Sequence, residues 1–157
     1  MYHGFSDGDI TPYRTVQYFD RLAKLNDGLQ ALQKNARLYM VPGMAHCTDG
    51  PGPNNFGQLF SAAVLDSPVD HDIVASLEAW VEAGRAPAAI IATKFEQDDP
   101  RSRATRSMPL CPYPAMAQYV GSGNVSEAGN WKCPANDGRL LHTGPVGIAA
   151  GVFAPPR

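Results

Sequence analysis

A chain of 157 residues is long enough for one domain with a real core. A formal net charge of -2, only 18% charged residues and no block of Lys or Arg argue against nucleic acid as a partner. No apolar run approaches the roughly 20 residues of a membrane span, so no membrane partner is expected either.

Met1 to His3 reads as the end of a strand, and Gly4 opens a loop. Thr11-Pro12 then makes a helix start, with Thr as N-cap and Pro at the first helical position. Val16, Phe19, Leu22 and Ala23 recur at helical spacing until Asn26-Asp27-Gly28 stops the pattern. A second short turn follows from Leu29 to Gln33, and "ARLYMVP", Ala36 to Pro42, reads as a buried strand. The next stretch, "GMAHCTDGPGPNNFG", is a long loop, and such loops are usually functional or mobile. Asp70 is expected to cap the next helix, with Ile73, Val74, Leu77, Trp80 and Val81 on one apolar face and Gly84 as its C-cap. Ala89 to Phe95 reads as a third strand. Beyond it lie a charged turn from Gln97 to Arg106, an irregular Pro-rich segment, and a weakly patterned stretch from Asp137 to Arg157. Phe19, Tyr39 and Trp80 are expected in the core, and no repeats occur.

The order strand, loop with acid, helix, strand, loop with His, helix predicts an α/β fold with a parallel sheet. In such sheets the chemistry sits on loops beyond the carboxyl ends of the strands. Asp7 and His46 hold that position on successive strands.

The segment "GFSDG", Gly4 to Gly8, matches G-x-S-x-G, the nucleophile-elbow pattern. An elbow needs a full strand before the serine and a helix directly after it. Only five residues precede Ser6, and the helix starts too late. A leading serine would also require another acid between it and His46, and Asp20 and Asp27 both lie in or after the first helix. The same stretch reads better as an acid loop, with Asp7 as the carboxylate that would orient His46. Asp9 competes for that role, and Asp7 as a plain turn residue beside a plain loop His is the bland alternative. His3 is either a structural histidine or support for the acid.

Three cysteines leave an odd thiol, which hints at a free group or a partner outside the chain. A His46-Cys47 dyad is disfavoured because neighbours in an extended loop point apart. Zinc is disfavoured because His3, His71 and His142 are scattered. A disulfide suits Cys47 better, and Cys111 and Cys133 can form a second, structural bridge. Asn124-Val125-Ser126 matches a glycosylation sequon, a pattern common by chance.

The blocks "YHGFSDGDITPYRTVQYF", "ARLYMVPGMAHCTDGPGPNNF", "SLEAWVEAGRAPAAIIATKF" and "MPLCPYP", taken in this order, resemble the tannase and feruloyl esterase family of α/β-hydrolases. The resemblance covers roughly Tyr2 to Cys133. It implies a Ser-Asp-His triad, with Asp7 the acid in "HGxxD" and His46 the base in "VPGMxHC". It implies that Cys47 is half of a disulfide whose other cysteine adjoins the nucleophile, and that Cys111 and Cys133 form the family's C-terminal disulfide. No nucleophile elbow of the family's kind occurs in these residues.

By this resemblance, residues 1–133 are the C-terminal portion of an α/β-hydrolase catalytic domain, parallel strands with flanking helices followed by a loop-rich disulfide-linked segment. Residues 134–157 are a flexible tail, and Met1 is an internal methionine or a truncated gene start. No cofactor is expected in this chain, and a structural calcium is expected in a lid outside it. The resemblance further implies a small aromatic ester as substrate, a secreted or periplasmic protein, and no activity from these residues alone. A stand-alone, non-catalytic binding or assembly module is the alternative. Asp9 departs from the family pattern, which favours an apolar or small residue there.

Overall fold

Strand β1 (Tyr2–Gly4) lies parallel to β2 (Tyr39–Val41), in a register that pairs Tyr2 with Tyr39 and Gly4 with Val41. The computed structural model describes residues 1–59 and 68–136. Between the two strands run helix α1 (Pro12–Leu25) and the single turn α2 (Leu29–Leu32). Pro12 fixes φ for the first helical residue, so α1 starts there even though the Thr11 side chain makes no capping bond. Val16, Phe19 and Ala23, three and four residues apart, form its buried stripe.

That stripe packs with Leu32, Leu38, Met40 and Tyr113 in one core cluster. Tyr113 comes from the Pro-rich "PLCPYP" segment and is held on every side. Its N–H donates to the Leu38 carbonyl at 2.7 Å, and its carbonyl accepts from Gln33 Nε2 at 2.7 Å. Its hydroxyl bonds Asp20 Oδ1 at 3.1 Å, and its ring meets Phe19 edge-on. A second cluster gathers Tyr39, Val41, Met44, Phe56, Ile90, Ala92 and Leu110 around the other face of β2.

Helix α3 (Ile73–Ala83) follows a 3-10 turn at Val69–His71. The expected cap is corrected here. Asp70 belongs to the 3-10 turn, and Asp72 is the N-cap, accepting from Val74 N at 2.7 Å and Ala75 N at 3.0 Å. Gly84 closes the helix in the left-handed region, as expected. The apolar face is also corrected. Val74, Leu77 and Val81 are exposed, while Ser76 is buried with its hydroxyl on the Val69 carbonyl. Trp80 is half-buried, with the Arg37 guanidinium 5.3 Å from its ring centre.

Strand β3 (Ile90–Phe95) runs antiparallel to β4 (Ala104–Leu110). The pairing β1-β2 is parallel, as expected, but β3 is not part of that pair, and β4 lies where a charged turn and irregular chain were expected. The first half of β4 faces solvent, so it lacks the apolar alternation by which strands are read. Short strands β5 (Gln118–Tyr119) and β6 (Trp131–Lys132) pair antiparallel, and the Cys111–Cys133 disulfide closes the segment between β4 and the end of β6. Of the expected tail, Asn136 is described and donates to the Pro114 carbonyl at 3.0 Å. Residues 137–157, and His142 with them, lie outside the described residues. Among the described residues no helix is long and apolar enough to cross a membrane.

Candidate active site

The parallel pairing ends at Gly4 and Val41, and both chains leave the sheet on the same side. Asp7 follows three residues after the first strand end and His46 five residues after the second. Gly4 permits the closeness of the two loops. A Cβ there would stand 2.3 Å from the carbonyl oxygens of both Met44 and Ala45. With no side chain in the way, Phe5 N donates to the Val41 carbonyl and Ser6 N to the Met44 carbonyl, each at 2.9 Å.

The loop that carries His46 is folded on itself. Ala45 N donates to the Asp49 carbonyl and Gly52 N to the Gly43 carbonyl, each at 3.1 Å. Gly50 takes φ +99°, and a Cβ on it would lie 2.1 Å from the Gly43 oxygen. From outside, Lys94 on β3 donates to the Gly50 carbonyl at 2.6 Å and pairs with Asp98 at 2.5 Å. Asp98 in turn accepts from Asn54 at 2.9 Å. Burial works against the charge of Asp98, but the bonds from Lys94 and Asn54 outweigh it and lower its pKa. Asn55 bridges to Thr93 through both backbone groups. Lys94, Asp98 and Asn54 escaped the sequence reading, because nothing local marks a lysine as the clamp of a loop 44 residues away.

Asp7 and His46 meet. Nδ1 of His46 lies 2.8 Å from Asp7 Oδ2, and the other carboxylate oxygen accepts from the amides of Asp9 at 2.9 Å and Ile10 at 2.8 Å. The Asp7 side chain is 2% exposed and that of His46 is 46% exposed. The Ile10 amide, then the bond from His46 and the Asp9 amide, hold the Asp7 carboxyl well below the usual carboxylate range, against burial. Ionised Asp7 accepts a hydrogen bond from Nδ1–H of His46 and leaves Nε2 as the unprotonated, basic nitrogen. The arrangement can take a proton from a nucleophile and stabilise the imidazolium that forms.

The other candidate residues divide clearly. Asp9 supplies an amide to Asp7, and among the described residues Asp7 alone offers His46 a carboxylate hydrogen bond. Ser6 is exposed in the turn after β1, and the next helix starts only at Pro12, so the strand-to-helix elbow is absent around it. His71 lies on the 3-10 turn before α3. His3 stands within the site, on Asp7. Cys47 is a free, exposed thiol at φ +65°, beside the Tyr2 hydroxyl. Burial, and then Cys47, push the Tyr2 pKa up.

Asp7, Asp9 and His46 offer ligand atoms within 4.8 Å of one another. They do not suit a calcium ion, and the calcium that the resemblance implies belongs to a lid outside these residues. Calcium takes six to eight oxygens, whereas here an imidazole nitrogen is one of three donors and both Asp7 oxygens already accept from N–H groups. An apolar cavity of about 230 Å³ is lined by Phe5, Met40, Pro42, Met108, Leu110 and Tyr113 among others.

The sequence profile described as tannase and feruloyl esterase matches residues 1–134. An uncharacterized esterase of Xanthomonas campestris pv. campestris is 37% identical over 144 residues, covering 85% of this chain and 25% of the relative. A mono(2-hydroxyethyl) terephthalate hydrolase of Piscinibacter sakaiensis is 37% identical over 135 residues, covering 86% of this chain and 19% of that protein. Among solved structures, an esterase from Aspergillus oryzae superposes with a TM-score of 0.78 at 28% identity, over 85% of this chain and 26% of the other. The chain thus spans about a quarter or less of the length of these relatives.

Proposed function

The chain belongs to the tannase and feruloyl esterase family, and on that premise we propose that it carries the acid and the base of a Ser-Asp-His triad in a carboxylic ester hydrolase. The observation that carries the reading is the 2.8 Å bond between Asp7 Oδ2 and His46 Nδ1, at the ends of two parallel strands. In this proposal residues 1–133 are the C-terminal portion of an α/β-hydrolase catalytic domain. The serine and the oxyanion donors lie outside these 157 residues.

His46 Nε2 takes the proton of that serine as it attacks the ester carbonyl, then gives it to the leaving alcohol. Water repeats the cycle on the acyl-enzyme. Asp7 stays ionised throughout, fixing the tautomer and stabilising the imidazolium. Cys47, exposed one residue after the base, is the half of a disulfide that ties this loop to a cysteine next to the nucleophile. The substrate class is a small ester of an aromatic acid, in keeping with the family's description and with the terephthalate ester hydrolase among the relatives. A secreted or periplasmic site suits the Cys111–Cys133 disulfide, since such bonds persist in oxidising compartments. A calcium ion in a lid outside these residues is part of the same proposal.

A fluorophosphonate probe tests the reading. It should label one serine of the full-length gene product, outside residues 1–157, and His46→Ala should abolish labelling. Labelling on Ser6 would overturn the assignment.

A further inference from the structure

Two imidazoles share one oxygen of Asp7. His46 Nδ1 stands 2.8 Å from Oδ2, and His3 Nε2 stands 3.1 Å from the same atom. The remaining bonds of His3 fix which nitrogen donates to the acid. Nε2 also lies 3.0 Å from the Ile10 carbonyl, and Nδ1 lies 2.6 Å from Thr15 Oγ1. The carboxylate and the carbonyl only accept, so Nε2 carries the proton and is shared between them. Nδ1 pairs with the Thr15 hydroxyl, so both ring nitrogens of His3 are hydrogen-bonded. On His46 it is Nδ1 that carries the proton toward Asp7, with Nε2 left for the reaction.

Burial separates their roles. The His3 side chain is 12% exposed against 46% for His46, so His3 is shielded where His46 is open. His3 sits on β1, and Thr15 sits on α1. The carboxylate therefore has four N–H donors, two backbone amides on Oδ1 and two imidazoles on Oδ2. The two amides pin Oδ1 and, through the rigid carboxylate plane, restrain rotation about the Cβ–Cγ bond. The His3 bond, itself anchored on a helix through Thr15, adds a direct hold on Oδ2, the oxygen that meets His46.

We infer that His3 is a positioning residue for the acid-base pair, holding Asp7 Oδ2 where it fixes the tautomer and ring orientation of His46. This rests on the reading of Asp7 and His46 as the working pair. A histidine that merely ties β1 to α1 would make the same Thr15 bond, and the experiment is chosen to separate the two.

In the full-length gene product, His3→Leu, His3→Gln and Thr15→Val are compared with Asp7→Asn. The readouts are kcat and KM on ethyl ferulate, and the ¹⁵N imidazole resonances of His46. His3→Leu should lower kcat about tenfold or more, with KM changed less than about twofold, as expected for a lost orientation. It should also convert His46 from one tautomer to a mixture. His3→Gln places an amide donor near the same oxygen and should recover most of kcat and the single tautomer. Thr15→Val should fall between. A folded His3→Leu with unchanged kcat and His46 tautomer overturns the role of His3. Should that variant fail to fold, a folded Thr15→Val with both readouts unchanged overturns it equally. If Asp7→Asn itself leaves kcat and the His46 tautomer unchanged, the pair fails, and the inference falls with it. Loss in Asp7→Asn without loss in His3→Leu removes only His3.

Discussion

Asp7 Oδ2 lies 2.8 Å from Nδ1 of His46 across 39 residues of sequence. The chain closes that distance with one parallel strand pair and one missing side chain. Gly4 pairs with Val41, and the absence of a Cβ on Gly4 lets the Met44 and Ala45 carbonyls approach. Backbone geometry thus sets the acid beside the base before any side chain is considered.

Gly4→Ala tests that account. The new methyl would meet two backbone oxygens at 2.3 Å, so one loop must move. A cost of roughly 1–3 kcal/mol is expected from such overpacking, together with a loss of kcat of about a hundredfold as Asp7 and His46 part. Gly8→Ala, which meets nothing within 4 Å, is the control and should keep the wild-type melting temperature. Equal melting temperatures and equal kcat for Gly4→Ala and wild type would contradict the close-approach argument.

The low pKa of Asp7 makes stability depend on pH in a definite direction. An unfolded Asp titrates near about 3.9, and the folded one lies lower. The ionised carboxylate therefore stabilises the fold fully above about pH 4 and loses that contribution as pH falls toward its folded value. Urea midpoints measured from pH 6 to pH 3 should fall more steeply below pH 4 in wild type than in Asp7→Asn. Asp98 and Asp99 are also held low but titrate in both proteins, so the difference isolates Asp7. Parallel curves would show that Asp7 gains nothing from its amides and imidazoles.

The Cys111–Cys133 bond spans 22 residues, and a loop of that size constrains the unfolded chain by about 3 kcal/mol. Cys111→Ser with Cys133→Ser should lower the melting temperature by roughly 6–12 °C. The measurement is a thermal scan of oxidised wild type against the double variant, and a shift under about 2 °C would contradict the assignment of a structural role.

The cap of α3 gives a smaller test. Asp72→Ala should cost about 1 kcal/mol in urea unfolding, because two amide donors lose their acceptor. Asp70→Ala, on the 3-10 turn outside the cap, should stay within about 0.5 kcal/mol. The reverse ranking would restore Asp70 as the cap.

These tests also mark what the sequence made legible. Helix α1, the strand at Tyr39–Val41 and the two loop residues Asp7 and His46 were readable, because spacing, Pro12 and strand-end position are local signals. The sequence does not separate Asp72 from Asp70, because both are acids before one apolar run, and only the 3-10 turn at Val69–His71 moves the helix start. Val74, Leu77 and Val81 fit an amphipathic pattern, yet they face outward. The buried position is Ser76, which meets the Val69 carbonyl and so carries no apolar signal. Strand β4 was invisible because its pairing with β3 is supplied by long-range hydrogen bonds, with its outer half in solvent. His3 was legible as a residue but not as a partner. Its bond to Asp7 depends on the turn between them, and its bond to Thr15 depends on where α1 packs.

In the proposed triad, Asp7 acts through His46. The most direct measurement is kcat of the full-length gene product on ethyl ferulate for Asp7→Asn beside Asp9→Asn. Asp7→Asn should lower kcat about 10³- to 10⁴-fold, the loss expected when the base is left in the wrong tautomer. Asp9→Asn should stay within a few-fold of wild type, because Asp9 gives Asp7 only its backbone amide. Near-normal turnover in Asp7→Asn, with the loss appearing in Asp9→Asn, would contradict that role and move the acid to Asp9.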